Sequence, residues 1–159
     1  MRKYFIASLA TLALSTFITL TASAGSIFQM RLVEDHPSDG TEQMTVVTTN
    51  NQQVLTHVYY VDKAVLLDQT ALKSAKAGTD KRGYAKIDVT FTEAGAKSFA
   101  DITRENLNKQ LAIIVDGQVR EAPRIASEIS GGKAVITGSF SKQEAKDLAK
   151  KLNEAAKKK

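Results

Sequence analysis

The sequence predicts an α+β fold, and three observations carry that prediction. Ala85, Ile87, Val89 and Phe91 alternate with Lys86, Asp88 and Thr90, a period of two that marks a strand with one buried and one wet face. Leu111, Ala112, Ile113, Ile114 and Val115 form an unbroken apolar run followed by Asp116 and Gly117. Such a run reads as a central strand covered on both faces, and Asp-Gly before a second alternating pattern is a strong hairpin signal. Two further stretches, one after Thr92 and one after Ser141, carry apolar stripes at helical spacing. The expected architecture is a mainly antiparallel sheet with two amphipathic helices on one face.

The elements follow in order. Residues 27–33 read as a strand, with Phe28, Met30 and Leu32 alternating with Gln29 and Arg31. Residues 34–42 hold Pro37, Asp39 and Gly40 and read as a loop. Residues 44–47 and 54–61 are two more strand candidates, joined by a polar turn over 48–53. Residues 64–67 are a short apolar strand, after which Asp68 or Thr70 caps a brief helical turn. Ala75 and Ala77 belong to a strand that leads to a turn around Gly83.

Thr92 opens the first helix, and Ala96, Phe99, Ala100, Thr103 and Leu107 form its expected stripe. The apolar run over 111–115, the Asp116–Gly117 turn and a strand from Gln118 come next. Pro123 ends that strand or places it at an edge, because proline cannot donate to a ladder. Gly131 and Gly132 make a turn, and residues 133–140 read as the last strand. Ser141 and Glu144 match a capping box, and Ala145, Leu148, Ala149 and Leu152 form the stripe behind it.

The chain has 159 residues with 43% hydrophobic and 25% charged residues, which excludes wholesale disorder. It has no cysteine, so a disulfide scaffold, a thiolate metal site and a catalytic thiol are excluded. Arg2 and Lys3, an uncharged apolar stretch, and small residues at Ala22 and Ala24 read as a secretory signal segment over 1–24. The expected location is therefore periplasmic or secreted. Without Arg2 and Lys3, 20 basic residues face 17 acidic ones. Seven lysines lie from Lys142 onward, so a near-neutral body carries a basic C-terminal helix. That distribution does not suit a nucleic-acid reader, whose charge lies on its reading face.

Chemistry-bearing constellations are few. Glu34, Asp35, His36 and Asp39 read as a solvated loop, since neighbouring loop residues rarely converge on one ion, and no metal is expected. No Gly-x-Ser-x-Gly, Gly-x-Gly-x-x-Gly or P-loop lysine occurs. The expectation is a chain with no enzymatic activity and no cofactor. Thr103, Arg104, Glu105 and Asn106 are a polar cluster, read as a solvated helix end that can also meet a peptide backbone or carboxylate.

Phe91 to Ala100, Thr103-Arg104-Glu105-Asn106 and Leu111 to Val119 resemble the head portion of the first periplasmic domain of SecD and SecDF. Ala122-Pro123-Arg124-Ile125, Ile129 to Ala134 and Gly138-Ser139-Phe140-Ser141 continue the resemblance. It covers residues 61–152, with residues 25–60 as N-terminal strands and loops and 153–159 as a basic tail. The resemblance implies a ferredoxin-like α+β sandwich and a role beside the Sec translocase, where the head contacts exported polypeptide. No membrane bundle accompanies the head in this sequence, so a proton-driven pump is not expected. The expected function is an exported binding module for unfolded polypeptide or an envelope protein, with Sec components as candidate partners. The expected contacts are Arg104, Asn106, Val119, Arg124 and Ile125, with the strand over 119–125 as the open edge. The alternative is a structural envelope protein that docks on a larger complex, or on an anionic membrane surface through the C-terminal lysines.

Overall fold

The computed structural model describes residues 26–50 and 53–158. The strands are β1 (Phe28–Glu34), β2 (Thr41–Asn50), β3 (Gln53–Asp62), β4 (Leu67–Asp68), β5 (Leu72–Thr79), β6 (Ala85–Phe91), β7 (Gln110–Val115), β8 (Gln118–Glu121) and β9 (Lys133–Ile136). The helices are α1 (Glu93–Glu105) and α2 (Lys142–Lys157), and a single 3-10 turn spans Gln69–Ala71. All strand pairings among the described residues are antiparallel. The class is α+β, as the pattern predicts.

The strands divide between two sheets. The larger runs β2-β3-β1-β7-β8, with β4 added beside β1, and the smaller runs β5-β6-β9. β1 is the reason for the division. It pairs with β7 from Phe28↔Val115 to Val33↔Gln110, which makes β7 central between β1 and β8. β6 is left to pair with β5 and β9. β1, β2 and β3 are thus built into the same sheet as β7 and β8.

One core lies between the two sheets and the helices. Phe28 and Met30 of β1, Ile113 and Val115 of β7, and Ile87, Val89 and Phe91 of β6 meet there. Phe99 of α1 and Ala145, Leu148, Ala149 and Leu152 of α2 close it. The alternation of β6 holds throughout, with Ala85, Ile87, Val89 and Phe91 buried and the residues between them half-exposed. The capping box of α2 forms, with Ser141 Oγ accepting from Glu144 N–H and the Glu144 carboxylate accepting from Ser141 N–H.

A second, smaller cluster sits on the other face of the larger sheet. Val61, Ala112, Ile114 and Val119 are buried there, against Met44, Val46 and Tyr59 of the β2–β3 hairpin. The sheet therefore curls until β2 lies near β8 without pairing to it. Arg31, which alternates with the apolar residues of β1, is only 7% exposed. Its guanidinium ion-pairs with Glu42, and its Nε donates to the Asp62 carbonyl at 2.6 Å, so β1, β2 and β3 are tied together.

Four local expectations are corrected. Residues 64–67 supply only Leu67 to β4, because the Leu66 N–H goes to the Met30 carbonyl and Asp68 then caps the 3-10 turn. The polar stretch over 48–53 is not a long turn, because β2 runs to Asn50 and β3 starts at Gln53. Residues 51–52, which join them, lie outside the described residues. β9 stops at Ile136, since the backbone N–H and hydroxyl of Thr137 both go to the Glu121 carboxylate. α1 ends at Glu105 with Asn106 as its cap, so Leu107 leaves the stripe and is 48% exposed. The buried stripe is instead Gly95, Phe99 and Thr103. The signal segment expected over 1–24 also lies outside the described residues.

Candidate functional site

Three elements converge on a groove beside β9. α1 supplies Phe99 and Thr103, β7 supplies Leu111 and Ile113, and Ile125 follows β8. These residues are buried and make an apolar floor. The rim carries Pro123, Arg124, Ile129 and Val135, and the cavity is about 470 Å³. Ile129 is 41% and Val135 47% exposed, so the rim of the groove offers apolar surface to solvent. β9 is an end strand of the smaller sheet, so one of its edges is unpaired.

The walls are fixed by specific bonds. Thr103 is fully buried; its hydroxyl donates to the Phe99 and Ala100 carbonyls and accepts from the Ile129 N–H at 2.9 Å. That one hydroxyl therefore anchors the 126–130 loop to α1. The Ile125 N–H donates to the Lys109 carbonyl, and the Asn108 N–H donates to the Ile125 carbonyl. Asn108 takes φ 66°, the left-handed conformation that asparagine tolerates. Glu121 and Thr137 close the groove where β8 and β9 end.

The residues singled out from sequence fall into three places. Arg124 and Ile125 belong to the groove, Arg124 on its rim and Ile125 in its floor. Arg124 also donates to the Asn108 carbonyl. Arg104 and Asn106 stand at the end of α1. Arg104 is exposed and bound to Asp101 at 2.5 Å. That hydrogen bond and the charge behind it push the guanidinium pKa up. Asn106 caps the helix through Nδ2, which donates to the Ile102 carbonyl at 2.9 Å. Val119 is elsewhere, 4% exposed in the second cluster, so its side chain packs inward. β8 is an end strand, as Pro123 suggests, and only an isolated bridge between Gln110 and Arg124 follows it.

As groove residues, sequence reading missed Ile129, Val135 and the floor residues Phe99, Leu111 and Ile113. A signal existed for Val135. It stands out of phase with Ala134 and Ile136, so alternation sends an apolar side chain outward.

Among the described residues no group of three or more His, Cys, Asp or Glu side chains is placed to hold a metal. Among them no helix is long and apolar enough to cross a membrane. An apolar floor beside an open strand edge fits an extended chain, whose backbone adds to the edge while its side chains enter the groove.

Comparison with known proteins gives a consistent picture. Residues 41–156 match the family model described as SecDF, P1 head subdomain. The chain is 48% identical over 92 residues to protein translocase subunit SecD of Leptotrichia buccalis, covering 58% of this chain and 23% of that protein. It is 40% identical over 117 residues to SecD of Syntrophobacter fumaroxidans, covering 72% and 20%. It is 45% identical over 84 residues to SecDF of Thermus thermophilus, covering 53% and 11%. The chain thus spans less than a quarter of the length of these relatives. A solved chain of SecDF, described as a membrane component that enhances protein export, superposes with a TM-score of 0.64 at 30% identity, over 80% of this chain and 62% of that one. The family match runs from β2 through β9 and takes in α1 and nearly all of α2, with β1 outside it, and this chain belongs to the SecDF P1 head family.

Proposed function

We propose that this chain is a non-enzymatic head module that receives extended or unfolded polypeptide during protein export. The observation that carries the reading is the groove: an apolar floor of Phe99, Leu111, Ile113 and Ile125 beside the unpaired edge of β9. An incoming segment adds a strand to β9 and buries alternate side chains against that floor. Backbone pairing ignores sequence, which suits a module that meets many different chains. Arg124 and Ile125 contact the segment, while Arg104 and Asn106 shape the end of α1 beside it. The relatives are named as translocase subunits, which supports Sec components as working partners. A periplasmic location, with residues 1–24 as the export signal, belongs to the same proposal.

The reading is tested with the protein from residue 25 onward and a fluorescein-labelled unfolded peptide. Val135→Asp puts a charge in the apolar rim and is expected to weaken binding at least about tenfold, because burying an unpaired charge is costly. Unchanged binding contradicts the reading.

A second reading has one observation in its favour. Lys142, Lys146, Lys150, Lys157 and Lys158 are all exposed, while Ala145, Leu148, Ala149 and Leu152 of α2 are buried. Docking of α2 on an anionic membrane predicts salt-sensitive co-flotation with phosphatidylglycerol vesicles and none with phosphatidylcholine vesicles.

A further inference from the structure

We propose that the cleft between β2 and β8 takes an extended peptide segment, with Arg120 pairing to an acidic side chain of that segment. The proposal rests on the reading of this chain as a polypeptide-receiving module, and it adds a second contact away from the β9 groove.

β2 and β8 are the two end strands of the larger sheet, so each has an unpaired edge. The curl of the sheet brings them close, yet they do not hydrogen-bond to one another. Between them lies a cavity of about 420 Å³, with Thr45 and Val46 on one side and Gln118, Val119 and Arg120 on the other. Ser139 adds a hydroxyl from the loop before α2. An extended chain in this gap can meet a strand edge on either side.

The charge comes from Arg120. Its Nε is buried and has no hydrogen-bond partner among the described residues. A buried donor left unpaired costs free energy, and a carboxylate is the acceptor that matches a guanidinium best. The nearby carboxylates are committed elsewhere. Glu144 accepts from the Ser141 N–H at 2.7 Å, and Glu121 accepts from Thr137. Arg120 feels Glu144 only as a neighbouring charge. The other polar side chains of the cleft, Thr45, Gln118 and Ser139, are neutral and can donate as well as accept, and none of them is bonded to Arg120 Nε. A segment that runs through the cleft passes Arg120 with its side chains, which favours an Asp or Glu side chain over a chain terminus.

The test uses fluorescence anisotropy with the protein from residue 25 onward. The probes are C-terminally amidated β-prone octapeptides with a central Asp or Asn, and the Asn peptide with a free C-terminus. The Asp peptide is expected to bind roughly tenfold tighter than the amidated Asn peptide, the scale of one charge-assisted hydrogen bond. Arg120→Gln is expected to erase that preference, and Arg120→Lys to keep part of it, with thermal melting of both variants confirming that they fold. Equal binding of Asp and Asn peptides overturns the proposal, as does a preference that survives Arg120→Gln. A gain from the free C-terminus in place of Asp overturns the side-chain assignment. If Val135→Asp weakens all peptides while Arg120→Gln changes nothing, this proposal fails and the groove reading stands. If no peptide binds at all, both fail.

Discussion

Asn153 of α2 holds Ala75 of β5 with both ends of its side-chain amide. The Ala75 N–H donates to Asn153 Oδ1 at 2.8 Å, and Asn153 Nδ2 donates to the Ala75 carbonyl at 2.8 Å. β5 and β9 are the two end strands of the same sheet. At β5 a side chain takes the place of a neighbouring strand. β9 has no such clip among the described residues, and its edge borders the groove. The sheet is thus guarded at one end and open at the other.

Asn153→Ala removes both bonds and leaves an Ala75 donor and acceptor without partners. Stability is expected to fall by about 1–3 kcal/mol, the range for orphaned buried polar groups. Urea denaturation measures this, and a midpoint equal to that of the wild type contradicts it.

Gly95 sits where α1 begins, against the 3-10 turn. A Cβ placed there would meet the Ala71 carbonyl oxygen at 2.5 Å and the Ala71 Cβ at 2.8 Å. Gly95→Ala gains about 1 kcal/mol in helix propensity, but overpacking of this kind costs about 1–3 kcal/mol. The variant is expected to be less stable than the wild type in the same denaturation experiment. A more stable variant would show that the turn and helix can separate freely.

Thr103→Val keeps the volume of the side chain and deletes the hydroxyl that accepts from Ile129 N–H. The expected loss is about 1–3 kcal/mol. The local effect is more telling. Amide exchange at Ile129 should accelerate strongly, because its only partner here is gone, and the groove wall should loosen with it. Unchanged exchange at Ile129 contradicts this account of the loop.

The Glu144 carboxyl is held below the usual carboxylate range, first by the Ser141 backbone N–H and then by the Ser141 side chain, with Arg120 contributing least. A carboxyl with a lower pKa in the folded state stabilises that state above its unfolded value of about 4.3. This contribution is lost as pH falls through the folded value. Glu144→Gln keeps an acceptor in the capping box but cannot titrate. Melting temperatures from pH 7 to pH 3 should therefore fall more steeply for wild type than for the variant. Parallel curves contradict the assignment.

Much of the fold was legible in the sequence because local signals agree with tertiary demands. Asp116 and Gly117 take φ 54° and 74°, the left-handed pair that a two-residue hairpin needs and that Asp-Gly supplies. Thr92, Ser141 and Glu144 cap their helices as read. The division into two sheets was not legible, because β1 finds β7 far along the chain (Phe28 pairs with Val115, 87 residues on), and no local pattern specifies that partner. The burial of Arg31 was not legible because it depends on the pairing of β1 with β3 and of β3 with β2, which brings Asp62 and Glu42 beside it. Of the site, Arg124 and Ile125 were legible through Pro123, which marks the strand end. Val119 was read as part of an edge strand, and its side chain is buried in the second cluster. The groove itself needed three elements distant in sequence, and only Val135 carried a local hint.

The most direct test of the central claim is site-specific photo-crosslinking in cells that are exporting protein. A photoreactive residue is placed at Val135 on the groove rim, and another at Tyr84, which is exposed in the turn between β5 and β6. The account predicts adducts from position 135 to many unrelated exported polypeptides, and few or none from position 84. A single constant partner at position 135, or equal adducts from both positions, would contradict it.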